Sequence, residues 1–466
     1  MAMAELIGAG GIGLLVDVTR GVLPVGYVGV IQERAIVEAA RRCTQSRIAR
    51  VEEKLLKGAY RAARREADDL RRCLAGRFTA LWSSLPHALK ERRGMSAEDR
   101  SDQRFERWRV MRIALGEAGR LVQPARAKLF AKPKFSGFGG DPRYRMILTF
   151  DWIDQARQRL IRSSLSPFVD FHPSQHLLRH SADGRGRSAV LGALLRELPL
   201  MGRDHVFMQL DVQDFYPSIS HAWLEENLPL AKGITRAQIH TGGMTIVPTG
   251  KNVRARLPGG AIEQLGQRGI PQGSALSALV GEYVVAEVLR GLADLPGGPL
   301  LHAYGHNLHT YSDNLGIFVD REQADAIVDL LQKAFASSAA GPFFLRAAPP
   351  RPISQPFKFL GYWFRLVDGA AEVFVPPEFA EHRADAILGD LMTADRAWLT
   401  KVRKRIEGVA GEWARWNGVD AWKRSALQRV ATAEEALDAF ELRGVRVPGT
   451  EVSSLRSTFG AHLRLQ

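Results

Sequence analysis

An α+β fold is predicted by three features of the sequence: long segments of helical period toward both ends, short apolar runs bounded by turn residues in the middle, and helical segments between those runs. Residues 32–74 contain no Pro and a single Gly, Gly58, with apolar residues recurring at three and four, so they predict a long amphipathic helix or a bent pair. The polar face of that segment is rich in arginine. Such a face is ordinarily solvated; clustered like charge also suits phosphate, so an RNA-contacting helix is the second reading. Residues 75–140 read as helical in pieces and end in KPKFSGFGGDPRYR, where the Pro and Gly density breaks regular structure and marks a boundary.

From Arg143 to about Leu200 a short apolar run, MILTF, gives way to helical patterns interrupted by the polar loop SADGRGRS. Residues 205–216, HVFMQLDVQDFY, read as a buried strand opening into a turn at Pro217. Two further strand signals follow: LHTYSDNLGIFV, two apolar arms around a polar centre, and the aromatic-rich FKFLGYWFRLV. Between them DREQADAIVDLLQKAF has an acidic first turn after Asp320 and apolar residues at helical spacing. Past Glu372 the pattern is helical again. Trp398, Trp413, Trp416 and Trp422 read there as core, and Lys401, Arg403, Lys404 and Arg405 would suit a helix riding on nucleic-acid phosphates. No repeat of 20 to 50 residues is evident.

At about 150 residues per domain, 466 residues suggest roughly three domains, and 45% apolar residues suffice to give each a core. Lys and Arg number 64 against 50 Asp and Glu, a net charge of +14, and the pI is near 10.0. Such a surface attracts polyanions, nucleic acid first and an acidic membrane surface second. No run approaches the eighteen or more apolar residues of a spanning helix, which excludes a transmembrane function, and no membrane partner is expected. The opening MAMAELIGAGGIGLLVDV carries Glu5 and no Lys or Arg before its apolar stretch, the wrong polarity for a secretory signal, so a cytoplasmic protein is expected. Cys43 and Cys73 lack the spacing of a zinc site and read as small apolar fillers. Gly8, Gly10 and Gly13 match GxGxxG, yet only seven residues precede them, where a dinucleotide fingerprint needs a full strand.

Phosphoryl transfer from a nucleoside triphosphate asks for carboxylates that hold divalent cations, cationic side chains that hold phosphates, and rigid positioning. Asp211 ends the apolar run VFMQL, where an ionised side chain is costly unless paired or metal-bound. Alone, an Asp at a strand end is more often a turn residue. Asp313 sits in Tyr311-Ser312-Asp313-Asn314, which alone is a serviceable hairpin turn. The third element changes that balance. Gly269-Ile270-Pro271-Gln272-Gly273-Ser274 leads directly into the apolar segment ALSALVGEYVVAEVLRGL, placing backbone amides and a flat amide side chain where a nucleotide could lie.

Together these segments resemble a bacterial reverse transcriptase, akin to group II intron, retron and abortive-infection or defence-associated enzymes. LDVQDFYPSI resembles the palm motif with the first metal-binding Asp, GIPQGSALS the next block, YSDN the Tyr-x-Asp-Asp hairpin, and FKFLGYW the element that grips the primer. RYRMILTFDWIDQARQRLI and GRGRSAV resemble the finger blocks whose arginines approach the incoming triphosphate. The match runs in order from about Arg143 to Tyr362. It implies a right-hand polymerase fold: an N-terminal helical extension over 1–140, fingers over 141–204, palm with remaining finger elements over 205–368, and a helical thumb over 369–466.

The resemblance further implies that Asp211 and Asp313 coordinate two Mg2+ ions, with Mn2+ as an alternative and the Val212 carbonyl as a further ligand. Tyr216 matches the aromatic position that blocks a ribose 2′ hydroxyl, implying dNTP preference. Gln272, Gly273 and Arg187, with Arg185 and Arg145, would position sugar, base and phosphates. Asn314 departs from the family, which has a second Asp there; an amide oxygen can face a metal but brings no charge. Arg346 is the stand-in for the lysine that the family has after the hairpin helix. The implied partners are an RNA template and a DNA or RNA primer, with room for a non-coding RNA or protein partner. Phage defence is the expected programme, since no nuclease or integrase pattern follows. The rivals are template-independent or protein-primed DNA synthesis, and a catalytically inactive RNA-binding scaffold.

Overall fold

The computed structural model describes residues 29–90, 94–134, 143–179, 185–249, 260–292 and 307–374, with Leu257, Leu295 and isolated positions between 400 and 435. The glycines of the N-terminal GxGxxG, Lys401, Arg405 and the four C-terminal tryptophans lie outside these residues. The chain divides into two units. Residues 1–187, 210–315 and 323–348 form the first, and 188–209, 316–322 and 349–466 the second.

In the first unit, α1 (Val30–Leu56) buries Ile36, Ala40, Thr44 and Val51 along one face. Gly58 then takes a φ of +69°, which only Gly adopts without strain, so residues 32–74 form the bent pair. α2 (Tyr60–Arg72) turns Ala63 and Ala67 inward against Val51. α3 (Leu74–Ser84) starts at Cys73, whose Sγ accepts from the Gly76 N–H at 3.2 Å. Both cysteines are half-buried, so the filler reading is corrected for Cys73, which caps a helix. α4 (Ala97–Ala118) starts at Ser96, whose Oγ accepts from the Asp99 N–H at 3.0 Å. Buried Glu33 ties α1 to α4 by accepting from Arg107 at 3.0 Å and from the Trp108 indole at 2.8 Å.

Next come β1 (Arg126–Lys134) and β2 (Arg143–Phe150), which pair antiparallel, with Lys132 opposite Arg145. Ala127, Leu129, Leu148 and Phe150 face a small core, and Lys128, Lys132 and Arg145 are exposed. β1 lies in the stretch read as helical pieces. Its alternation is built from Ala and Lys, poor strand formers, and pairing with β2 overrides that propensity. The hairpin spans the expected boundary at 140. α5 (Trp152–Leu165) follows, capped by Asp151; α6 (Arg187–Glu197) comes next in the chain and, past Arg187, belongs to the second unit.

β3 (His205–Gln213) and β4 (Thr245–Pro248) come next; β4 adds to β1 in parallel, giving the order β2-β1-β4. α7 (Ser277–Gly291) precedes β5 (Leu308–Tyr311) and β6 (Asn314–Asp320), and α8 (Ala324–Ser337) precedes β7 (Phe344–Ala347). Strand order in this sheet is β5-β6-β3-β7, and the Leu210–Gln213 end of β3 pairs antiparallel with β7.

In the second unit, Val206 and Phe207 of β3 pair with β8 (Arg351–Pro352). β9 (Phe357–Phe359), β10 (Tyr362–Val367) and β11 (Ala370–Phe374) form an antiparallel meander. Two-residue turns join them, Leu360-Gly361 and Asp368-Gly369, each with positive φ at both positions as tight hairpins require. FKFLGYWFRLV is therefore a hairpin, not one strand. Phe207, Phe318, Phe357 and Phe364 fill the core of this unit, Phe207 lying 4.2 Å from Phe357 between ring centroids. No helix among the described residues is long and apolar enough to cross a membrane.

Candidate active site

Every residue singled out for chemistry falls in the first unit. Strand alternation decides how Asp211 is presented: Leu210 and Val212 are buried while Asp211 and Gln213 are exposed. The expectation of a carboxylate held at a buried position is therefore corrected. The strand is buried, but the side chain emerges on its open face. On that face Asp211 is in register with Arg346 of β7, and Arg346 Nη2 reaches Gln213 Oε1 at 3.5 Å. Asp214 ends the strand in a left-handed conformation, φ +46°, and turns the chain into Phe215 and Tyr216.

Asp313 is brought beside this strand by the β5–β6 turn. The Val212 N–H donates to the Asp313 carbonyl at 2.9 Å, so the turn is pinned to β3 one residue past Asp211. The turn has φ +58° at Ser312, a position where Gly is usual. Burial raises the Asp313 carboxyl above its ordinary range; the positive field of Arg145 and hydrogen bonds from the turn, including Asn314, oppose that shift. Asn314 Nδ2 donates to Asp313 Oδ1 at 3.1 Å. The amide at this position thus steadies the neighbouring carboxylate instead of repelling it.

The loop from Gly269 to Ser274 is clamped between β2 and α5. The Leu148 N–H donates to the Gln272 carbonyl at 2.8 Å, and the Ala275 N–H to Gln158 Oε1 at 3.2 Å. Gly273 has φ +112°, and a Cβ there would stand 2.4 Å from the Leu148 carbonyl oxygen, so no other residue fits without moving β2. Ser277 Oγ closes the loop by donating to the Pro271 carbonyl at 2.6 Å. Gln272 remains half-buried at the loop's crest.

Tyr216 packs under the turn. Its hydroxyl lies 2.9 Å from Ser312 Oγ, and burial pushes its pKa up to about 12, so it stays neutral. Gly281 of α7 makes room for the ring, since a Cβ there would come within 3.4 Å of it.

The cationic side is less concentrated. Arg185 and Arg187 flank Gly186 and are exposed, as is Arg145. Sequence reasoning missed Arg162. Its guanidinium reaches the Ala275 carbonyl at 3.5 Å, and burial first, then the fields of Arg159 and Arg185, lower its pKa. It also missed Glu282 and Gln175, both fully buried; a Glu flanked by apolar residues in ALVGEYVV was the available signal.

Among the described residues no group of three or more His, Cys, Asp or Glu side chains is arranged to hold a metal. What the turn and β3 offer is two carboxylates and backbone carbonyls, hard oxygen donors of the kind Mg2+ takes with several waters retained. A desolvated Asp313 has its ionised form disfavoured by burial, and a bound cation offsets that. The residues present fit such an ion.

The family model described as reverse transcriptase (RNA-dependent DNA polymerase) matches residues 132–364, a span that holds every residue of this site. Among curated proteins, none matches the chain.

Proposed function

The chain belongs to the reverse transcriptase family, and on that premise we propose that Asp211 and Asp313 are its metal-holding carboxylates, with the Val212 carbonyl as a further ligand. Membership makes the protein an RNA-directed DNA polymerase, a nucleotidyltransferase acting on nucleic-acid template, primer and nucleotides, of a family that uses divalent metal ions. The carrying observation is the hydrogen bond from Val212 to Asp313, which ties the two carboxylate-bearing segments together.

In this reading two Mg2+ ions, or Mn2+, supply polarisation of the primer 3′ hydroxyl and neutralisation of the departing pyrophosphate. The chain's own residues do the rest. Gln272 and Gly273 present the loop against which base and sugar lie, and Arg145, Arg185 and Arg187 take the phosphates with planar forks suited to paired oxygens. Arg162 extends that cationic group from α5. The Tyr216 ring, held from below by Ser312 and Gly281, limits the space over the sugar and favours dNTPs. Asn314 contributes to catalysis by orienting Asp313. Fingers are proposed over 141–204 together with β1, palm over 205–368, thumb over 369–466, and the N-terminal helices as an extension.

The test is incorporation of labelled dNTPs with Mg2+ or Mn2+, with an RNA template present or absent. Template-dependent synthesis lost in Asp211→Ala and Asp313→Ala supports the reading. Synthesis without template selects the untemplated alternative, and inertness under every condition the scaffold alternative. Phage defence is part of the proposal, defence-associated enzymes being one of the bacterial groups that the ordered motifs resemble. Plating efficiency should fall in cells expressing the wild type and recover with Asp211→Ala.

A further inference from the structure

Behind the β5–β6 turn lies a polar pair that the proposed chemistry does not use. Glu282 on α7 and Gln175 in the segment 172–176 are both 0% exposed. The Gln175 amide has a fixed orientation: Oε1 accepts from the His172 N–H at 2.7 Å, while Nε2 donates to the Glu282 carbonyl at 2.7 Å and to its Oε2 at 3.1 Å. The other carboxyl oxygen, Oε1, accepts from the Ser312 N–H at 3.1 Å. Residue 282 therefore meets an N–H on each side and must accept with both terminal atoms. A carboxyl group can do so in either protonation state; a carboxamide, with one NH2 end, cannot.

The group that Glu282 grips is the strained one. A non-Gly residue at positive φ is strained and persists where its surroundings over-determine it. Ser312 is such a residue, one position before Asp313. The far end of the bridge is also anchored. Gln175 forms a parallel bridge with Thr310 of β5, the Thr310 N–H donates to Ser174 at 2.7 Å, and the His176 N–H donates to Thr310 at 3.1 Å.

We infer that Glu282 is a positioning residue: by accepting from Ser312 on one side and Gln175 on the other, it sets where Asp313 stands relative to β3. Burial lifts the Glu282 carboxyl to about 8, against the pull of its Ser312 and Gln175 hydrogen bonds. At neutral pH it is mostly uncharged, so Glu282→Gln there inverts one hydrogen bond and changes little charge. The inference rests on the proposed role of Asp313.

The experiment measures single-nucleotide incorporation by the full-length protein with Mg2+ and dNTP varied separately, alongside Tm. Glu282→Gln should lower kcat on the order of 10- to 100-fold, since misplacing a reacting group by an ångström costs about that much. It should also raise the Mg2+ concentration for half-maximal rate, with the KM for dNTP and the Tm close to wild type. In a Gln175→Ala background the new amide can turn its NH2 into the vacated space, so Glu282→Gln should add less than about threefold to the loss. Wild-type kcat and Mg2+ dependence for Glu282→Gln, or losses that simply multiply in the double variant, overturn the inference. If Glu282→Gln does not fold, Glu282→Asp keeps both acceptors but retracts them, and it must show the raised Mg2+ requirement or the inference fails. An active Asp313→Asn would remove the underlying reading whatever Glu282 does. An inert Asp313→Asn with an unaffected Glu282→Gln removes the positioning role alone.

Discussion

Asp313 is held against its own electrostatic preference, and its neighbours divide into those that relieve the cost and those that use it. Burial raises its pKa, so its ionised form is less favourable in the folded chain than in the unfolded one. Asp313→Asn should therefore abolish incorporation yet leave the metal-free Tm equal to or above wild type, the pattern of a side chain kept for function at a cost in stability. A lowered Tm with retained activity would contradict both halves. Asn314→Asp removes the donor to Asp313 and places a second carboxylate beside it. Without metal it should lower Tm, and with saturating Mg2+ it should keep or raise the incorporation rate. Tyr216→Val should relax discrimination against ribonucleotides. Gly281→Ala should disturb it as well, because the new Cβ would crowd the Phe215 ring at 3.2 Å, and that ring packs edge-on against Tyr216. An unchanged rNTP-to-dNTP ratio in both variants would make Tyr216 an ordinary packing aromatic.

At the scale of the element, the β5–β6 turn is fixed by β3 through Val212, by Tyr216, and by α7 through Glu282. The last of these gives the protein a pH signature. With a folded pKa near 8 against an ordinary 4.5, Glu282 binds more protons in the folded state across that interval, so its contribution to stability falls as pH rises from about 4.5 to about 8 and is flat above. Tyr216, which packs under the turn, lies near 12 and does not titrate in that window. The Tm of wild type minus that of Glu282→Gln should accordingly shrink between pH 5 and pH 9; a constant or growing difference contradicts the buried, proton-binding carboxyl. None of this was legible from the sequence, because Gln175, Glu282 and Ser312 are far apart in the chain and meet only through β5 and α7. The turn itself was legible, since apolar arms around Ser-Asp-Asn can hardly be anything but a hairpin. β1 was not, because KLFAKPK carries poor strand formers whose pairing comes from β2. The break in residues 32–74 stood in plain view at Gly58, the one Gly of that stretch, yet propensity alone left a single helix open.

At the scale of the whole molecule, a charge of +14 states an affinity for polyanions without stating where they bind. Part of the N-terminal positive charge is already committed. Buried Glu66 of α2 is met by Lys54 at 2.8 Å, Arg50 at 3.2 Å and Arg47 at 3.3 Å, and those three cations lower its pKa despite its burial. The arginine-rich face of α1 is thus partly a device for fastening α1 to α2, a use that neither the solvated nor the RNA-contacting reading gave it. Arg61, Arg64 and Arg65 on α2 are exposed, and they are the residues of this pair best placed for phosphate. If they contact nucleic acid, replacing all three with Gln should flatten the plot of log K against log salt, each lost phosphate contact removing a slope of about 0.7 to 0.9. Single-turnover incorporation at saturating template and primer should barely change, because none of the three adjoins the turn, β3 or the Gln272 loop. A salt slope equal to wild type would mean that this face is solvated or meets a protein, and that the charge acting on nucleic acid lies elsewhere, with Lys128, Lys132 and Arg145 on the exposed face of the β1–β2 hairpin as the next residues to replace.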